Sequence, residues 1–283
     1  MSSKTNVARL SIASNTFLII IKLIVGFIAG SVSIISEAIH SAMDLVAALI
    51  AFFSVSVSDR PADNEHPYGH GKFENVSGVI EAVLIFVAAI WIIFESIRKM
   101  LHPSPVDSLS LGFIVMFISA AVNFFVSRRL YKVAKQTDSI ALEADALHLK
   151  TDVFTSAGVG VGLLLIWLTD YTFLDPIVAI LVALFILRES YILLKNAYTP
   201  LLDSSLEPGE ISIIEDFLNA KSLEYHNLKT RKAGSYRFAE LHLEMPQNLT
   251  LKEVHDICDE VEEELKNRIK NLDINIHVEP KEV

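Results

Sequence analysis

The sequence has a single cysteine, Cys258, among 283 residues. One cysteine cannot form an internal disulfide or supply the thiolates of a Cys-based zinc module, so both scaffolds are excluded. We expect Cys258 to be an ordinary small residue on a helix. Charged residues are also scarce, at 20% of the chain, whereas 52% is hydrophobic and the mean hydropathy is +0.43. This composition is too apolar for an ordinary soluble globular protein.

The chain also has fewer basic than acidic residues, and its formal net charge is −10. Most of the negative charge lies in residues 201–283, where ten Lys and Arg stand against eighteen Asp and Glu. A nucleic-acid-binding protein needs a basic surface, so that class of function is disfavoured. The chain therefore divides into an apolar domain, residues 1–200, and an acidic domain, residues 201–283.

Six apolar stretches occupy the first domain, at 7–29, 32–57, 76–101, 108–131, 144–169 and 173–194. Each is long enough for a helix that crosses about 30 Å of hydrocarbon. The first stretch is too long for a signal peptide and no small-residue cleavage pattern follows it. The sequence thus predicts a membrane α-helical bundle of six transmembrane helices.

The Lys and Arg residues between these stretches predict the orientation of the bundle. Segments that connect successive spans lie alternately on the two sides of the membrane. The segments on one side hold only Arg98 and Lys99. Those on the other side, which include the N-terminal segment, hold most of the positive charge, at Lys4, Arg9, Arg60, Lys72, Arg128, Arg129, Lys132, Lys135 and Lys195. We therefore expect an integral membrane protein with both termini in the cytoplasm.

The acidic domain has the pattern of a small cytoplasmic α+β domain. Helical periodicity covers 209–220 and 250–270, and Thr250 with Glu253 forms a capping-box pattern at the start of the second helix. Alternating apolar and polar residues predict strands at 236–245 and 273–279, and a further strand is expected near 224–232. The order αββαβ is typical of a small sheet with helices on one face.

Histidines recur in this domain. The strand alternation places His242, His277 and Glu279 on the polar face of the sheet. His226 falls in the first strand and His255 on the second helix. On the residues alone two interpretations stay open, a solvated surface and a metal site.

Ionisable residues within membrane spans indicate a function, because inserting each such side chain into the bilayer costs about 2.5–3.5 kcal/mol on insertion scales. The second stretch contains His40 and Asp44, and the fifth contains His148 and Asp152. Each pair is spaced i, i+4 and lies on one helix face. If the two faces meet, two imidazoles and two carboxylates form a set that suits tetrahedral Zn²⁺ better than Mg²⁺ or Ca²⁺. Helix–helix hydrogen bonds or a proton relay are the alternatives, but the repeated spacing favours a metal site.

Three classes of function fit a buried metal site: a transporter, a membrane-anchored metal sensor that transports nothing, and an intramembrane metalloenzyme. Four protein ligands leave no open position for a catalytic water. The chain also has no HExxH motif and no phosphate-binding loop. We therefore expect that it is not an enzyme, and a mere anchor would have no reason to bury these ligands.

Four segments resemble those of one family: the two His-xxx-Asp pairs, the loop Pro61-Ala-Asp-Asn-Glu-His-Pro-Tyr-Gly-His-Gly-Lys-Phe-Glu74, and Glu240-Leu-His-Leu-Glu-Met245. They are similar to the cation diffusion facilitator family, and most of all to bacterial zinc/iron efflux transporters of the inner membrane. The resemblance implies a homodimer whose six-helix domains carry metallochaperone-like cytoplasmic domains. It also implies alternating access, with divalent metal exported in exchange for protons.

The resemblance assigns roles to individual residues. Several bacterial relatives have Asp at the position of His40, and the two-His, two-Asp set resembles the zinc-selective members. Zn²⁺ is thus the expected substrate and a regulatory ligand, with Fe²⁺, Co²⁺ and Cd²⁺ left open. In the family's dinuclear site the position of Glu279 is usually Asp. The implied sets are a transport site of His40, Asp44, His148 and Asp152, a loop site of Asp63, His66 and His70, a cytoplasmic site at the dimer interface of His226, His242, His255, His277 and Glu279, and an interlocking salt bridge of Lys72 and Asp203.

Overall fold

Long helices make up the first of two compact units, Met1–Tyr198, and a small sheet with two helices makes up the second, Thr199–Val283. The computed structural model describes residues 3–29, 32–101, 111–169 and 174–281. The helices of the first unit are α1 (Ser3–Ala29), α2 (Val32–Ser58), α3 (Lys72–Leu101), α4 (Leu111–Thr137), α5 (Ile140–Thr169) and α6 (Leu174–Tyr198).

These six helices contain between 25 and 30 residues each. At 1.5 Å per residue they are roughly 38–45 Å long, which exceeds the hydrocarbon thickness of a bilayer. Within the described residues, three segments are both long and apolar enough to cross a membrane: Ser3–Val25, Lys72–Arg98 and Pro176–Leu202. The described ranges therefore contain six helices of sufficient length, and three described segments also have the composition of a membrane span.

Small residues bring the helices of this unit close together. α1 packs on α2, α4 on α5, and α3 on α6. A Cβ atom added at Gly78 of α3 would lie 3.0 Å from the Ala197 Cβ of α6, and one at Gly158 of α5 would lie 3.0 Å from Val182 Cγ2. Such close approach of backbones is how helices associate where lipid offers no hydrophobic driving force.

A buried polar cluster joins the ends of four helices. The Glu74 carboxylate at the start of α3 accepts hydrogen bonds from Lys4 Nζ of α1 (2.9 Å), Ser58 Oγ of α2 (2.8 Å) and Ser139 Oγ (2.5 Å). Ser139 immediately precedes α5, and its hydroxyl also accepts a hydrogen bond from the backbone N–H of Leu142. The cluster therefore fixes α1, α2, α3 and α5 relative to one another at one end of the unit.

The second unit has the order αββαβ that the sequence predicts. After a 3-10 turn (Thr199–Leu202) come α7 (Pro208–Ala220), β1 (Glu224–Ala233), β2 (Tyr236–Met245), α8 (Leu251–Arg268) and β3 (Leu272–Pro280). β2 lies in the centre of the sheet, antiparallel to β1 and parallel to β3. The capping box of α8 is confirmed, because Thr250 Oγ1 accepts from Glu253 N–H and Glu253 accepts from Thr250 N–H.

One face of this sheet is covered by α7 and α8, and the other carries polar side chains. Leu241 and Leu243 of β2 are fully buried with Ile214, Leu218 and Leu265 of the two helices. His242 and Glu244, which alternate with these leucines, are only partly buried. The period of two along the strand thus separates an apolar core from a polar face that holds the histidines.

Candidate metal centres

The first cluster lies between α2 and α5 and contains three of the four residues expected at the transport site. Ligand atoms of Asp44, His148 and Asp152 all lie within 4.8 Å of one another. His148 Nε2 is 3.2 Å from Asp44 Oδ1, and Asp44 is only 5% exposed. The prediction that the two i, i+4 faces meet is therefore consistent with the geometry of these three residues.

His40 belongs to α2, one turn before Asp44. Its side chain lies outside the described part of the structure, so its place in the cluster stays a prediction. The backbone spacing of i, i+4 still puts it on the same face of α2 as Asp44.

Polar side chains surround this cluster. Asn123 Nδ2 of α4 lies 3.4 Å from Asp152 Oδ2, and Asn15 Nδ2 of α1 donates to the Asp44 carbonyl oxygen at 3.3 Å. Lys22 Nζ donates to Ser41 Oγ at 2.8 Å, one turn before Asp44. These amides and the ammonium group make the interior between α1, α2 and α4 polar and thereby suited to a charged ligand.

Two further acids are fully buried in the same unit. Ser11 Oγ donates to Asp145 Oδ1 at 3.2 Å, and Asp145 precedes His148 by three residues on α5. In the part of the chain that the structure describes, neither carboxylate oxygen of Glu81 has a hydrogen-bond partner. The sequence interpretation missed Asp145, although an acid one turn before a membrane histidine was a visible signal.

The second cluster lies in the loop between α2 and α3 and unites Asp63, His66 and His70. Asp63 Oδ1 accepts from the backbone N–H groups of His66 (2.7 Å) and Glu65 (3.0 Å). These bonds, from His66 above all, hold the pKa of the Asp63 carboxyl below its usual range. Gly69, with φ of +80°, closes the turn that brings His70 back to within 3.4 Å of Asp63 Oδ2.

The imidazoles of this loop have unused nitrogen atoms. His66 Nδ1 and His70 Nδ1 are buried and have no hydrogen-bond partner among the described residues. The ring centroids of His66 and His70 are 4.5 Å apart. Orphaned nitrogens beside a carboxylate fit a divalent metal, because a metal would satisfy the buried polar groups that are otherwise costly.

The third cluster lies on the polar face of the sheet in the second unit. Strand register places His226, His242 and His277 in one row across β1, β2 and β3, with Glu244 and Glu279 paired two residues further on. Glu279 Oε1 is 2.8 Å from His242 Nδ1, and Oε2 is 3.3 Å from His226 Nε2. A three-ligand site within one chain can thus be formed by His226, His242 and Glu279. The Glu279 side chain, one methylene longer than an Asp, reaches both imidazoles.

The remaining predicted residues are arranged differently. His277 Nε2 lies 3.5 Å from Glu279 Oε1, beside the three-ligand cluster. His255 lies on α8 with its side chain 70% exposed and 3.6 Å from Asp259, apart from the cluster. Asp203 Oδ1 is 3.7 Å from Arg231, whereas Lys72 begins α3 in the other unit. The interlocking salt bridge between Lys72 and Asp203 stays a prediction.

Two family models cover almost the whole chain. The cation efflux transmembrane domain matches residues 8–202, and the cation efflux protein cytoplasmic domain matches residues 207–281. The chain therefore belongs to the cation diffusion facilitator family of metal cation efflux transporters, and it is an integral membrane protein with a cytoplasmic domain. The members of this family are transporters and not enzymes.

Two relatives that match this chain over most of its length agree with this assignment. The chain is 38% identical over 258 residues to the uncharacterized transporter sll1263 of Synechocystis sp., covering 90% of this chain and 83% of that protein. It is 32% identical over 282 residues to the cation-efflux pump FieF of Shewanella oneidensis, covering 98% and 94%. A solved structure of CzrB, a proposed zinc transporter, is 39% identical and covers 28% of this chain and 100% of its own, with a TM-score of 0.27.

Proposed function

We propose that this protein exports Zn²⁺ from the cytoplasm in exchange for protons, by alternating access at the Asp44, His148 and Asp152 cluster. The observation that carries the proposal is the convergence of these three ligand groups from two separate membrane helices. His40 is proposed as the fourth ligand. All six helices then cross the membrane, and both termini lie in the cytoplasm.

Donor type and spacing support zinc as the substrate. Ligands at about 2.0–2.1 Å from a tetrahedral Zn²⁺ are separated from each other by about 3.4 Å. The separation of 3.2 Å between His148 Nε2 and Asp44 Oδ1 is close to this value. Imidazole together with carboxylate suits Zn²⁺ better than the all-oxygen shells that Mg²⁺ and Ca²⁺ prefer. Fe²⁺, Co²⁺ and Cd²⁺ are further substrates to be tested.

Proton exchange follows from the chemistry of the ligands. An imidazole or carboxylate must lose its proton to bind a metal, so Zn²⁺ and H⁺ compete for one site. Moving one charge against 100 mV costs about 2.3 kcal/mol, so export of a divalent ion alone costs about 4.6 kcal/mol. Inward movement of one proton in the same cycle halves that cost. Antiport is therefore the energetically favoured way to export the ion.

The loop and cytoplasmic clusters are proposed as regulatory Zn²⁺ sites of a homodimer. Asp63, His66 and His70 would hold one ion, and His226, His242 and Glu279 another, with His277 beside it. His255 is proposed to complete the dinuclear site at the dimer interface. The second unit is strongly acidic, so bound cations reduce repulsion between two copies and favour one arrangement of the dimer.

Transport by everted membrane vesicles tests the proposal. With an imposed proton gradient, vesicles that contain the protein should accumulate radioactive zinc, and Asp44→Asn or Asp152→Asn should abolish accumulation. Glu143→Gln is a matched control, because it removes a carboxylate of α5 that is outside the cluster. Accumulation that survives both Asn variants would contradict the transport site. Zinc binding to the cytoplasmic domain without any transport by the unchanged protein would instead support a membrane-anchored sensor.

A further inference from the structure

A groove of about 740 Å³ opens between α4, α5 and α6, and its described lining does not include Asp44, His148 or Asp152. One part of its wall is basic, with Arg128 and Lys132 from α4 and Lys150 from α5. The other part is apolar, and its side chains include Phe124, Val153, Phe154 and Ile192. The groove is therefore amphipathic, and nothing in the transport cycle described above uses it.

The cations of the groove are available to a ligand. Among the described residues, no carboxylate lies within 4.0 Å of Arg128, Lys132 or Lys150, whereas Lys135 is paired with Glu143 at 2.8 Å. Two of the cations lie beside aromatic rings instead, Arg128 at 5.4 Å from Phe124 and Lys150 at 5.3 Å from Phe154. Two carboxylates also line the groove, Glu143 and Glu189, and they are paired with Lys135 and Arg188 at 2.8 Å. The described lining therefore keeps an excess of positive charge.

The groove also lies at a suitable height for a lipid. Arg128 precedes the end of α4 at Thr137 by nine residues, which is about 14 Å along the helix. The apolar stretch expected from the sequence ends at residue 131, so Arg128 and Lys132 lie within one turn of the expected membrane surface. The apolar side chains Phe124 and Phe154 lie deeper along the same helices, away from the α4–α5 turn.

We propose that this groove binds an anionic phospholipid, with its phosphate-containing head group on Arg128 and Lys132 and its acyl chains on the apolar wall. Basic pockets between membrane helices on the cytoplasmic side bind acidic head groups in this way. Inorganic phosphate could use the cations but not the apolar wall. An acidic protein segment would likewise leave Phe124 and Phe154 without an apolar partner.

Native mass spectrometry of the purified full chain tests the proposal. Delipidated protein is titrated with phosphatidylglycerol and, separately, with phosphatidylcholine of the same acyl chains. Arg128→Gln and Lys132→Gln are made singly and together, and Arg129→Gln is the matched control because Arg129 is exposed on α4 but does not line the groove. Thermal unfolding of each variant confirms that it is folded.

Phosphatidylglycerol should bind more tightly than phosphatidylcholine, and each groove substitution should weaken it about fivefold while Arg129→Gln leaves it unchanged. A large excess of inorganic phosphate at constant ionic strength should not displace the lipid. Equal affinity for the two lipids, or equal losses from Arg128→Gln and Arg129→Gln, would overturn the proposal. Displacement by inorganic phosphate alone would show a simple anion site and would overturn it as well.

Discussion

The buried Glu74 cluster gives the sharpest test of what holds the membrane unit together. Glu74 is fully buried, and the Lys4 side chain that it binds is 9% exposed. Glu74→Gln keeps the volume of the side chain but removes the charge opposite Lys4. The ammonium group of Lys4 also lies 3.3 Å from Asp59 Oδ1, on a partly exposed side chain that the substitution leaves in place.

The expected magnitude follows from burial. Breaking one partner of a buried ion pair costs about 3–5 kcal/mol, because an uncompensated charge is left behind. Since Asp59 retains part of the compensation, we expect Glu74→Gln to lower the free energy of unfolding by about 3 kcal/mol. Glu143→Gln breaks a pair of similar length, Lys135 to Glu143 at 2.8 Å, but these side chains are 54% and 25% exposed. That variant should cost less than about 1 kcal/mol.

Reversible unfolding in mixed detergent micelles measures both values. Lys4→Met should partly rescue Glu74→Gln, because it removes the buried positive charge whose carboxylate partner Glu74 the first substitution has neutralised. Equal losses from Glu74→Gln and Glu143→Gln, or strictly additive losses in the double variant, would refute the argument from burial.

Two further predictions concern the second unit. Calorimetric zinc titration of the full chain should show that His242→Ala removes one high-affinity site per chain while His255→Ala leaves that site intact; loss of that same site in His255→Ala would contradict the single-chain cluster. The Glu253 carboxylate accepts hydrogen bonds from the Thr250 backbone and hydroxyl, which lower its pKa below 4.5. Its stabilisation of the start of α8 is thus complete above pH 4.5 and is lost as the pH falls through the lowered pKa. Hydrogen exchange of residues 251–254, corrected for the intrinsic pH dependence, should show loss of protection in that range for the unchanged protein and a smaller change for Glu253→Gln.

The features that could be predicted from the sequence are those that depend on local periodicity. Apolar runs predict the helices, and alternation predicts β2 and β3 and the polar face that holds His242. The spacing of Asp152 from His148 predicts one helix face. The meeting of that face with Asp44 was an inference from chemistry, because a metal needs ligands from both helices.

Contacts between residues far apart in the chain could not be predicted from local sequence patterns. The partners of Glu74 are 16, 65 and 70 residues away, so no local pattern indicates the cluster. The row of His226 and His242 depends on strand register, which includes a bulge after His226. For His255, the sequence predicts its position on a helix. Its distance from the other histidines depends on how α8 packs, which no local pattern indicates.

Simultaneous measurement of zinc and proton movement in proteoliposomes tests the central claim most directly. Zinc-sensitive and pH-sensitive dyes are enclosed in the same liposomes, and the unchanged protein is compared with Asp44→Asn and Glu143→Gln. Zinc entry should be accompanied by proton exit, both fluxes should respond to an imposed pH gradient, and both should be lost in Asp44→Asn and retained in Glu143→Gln. A rate of zinc entry that does not change with the proton gradient, or zinc entry that persists in Asp44→Asn, would contradict exchange of metal for protons at the buried carboxylates.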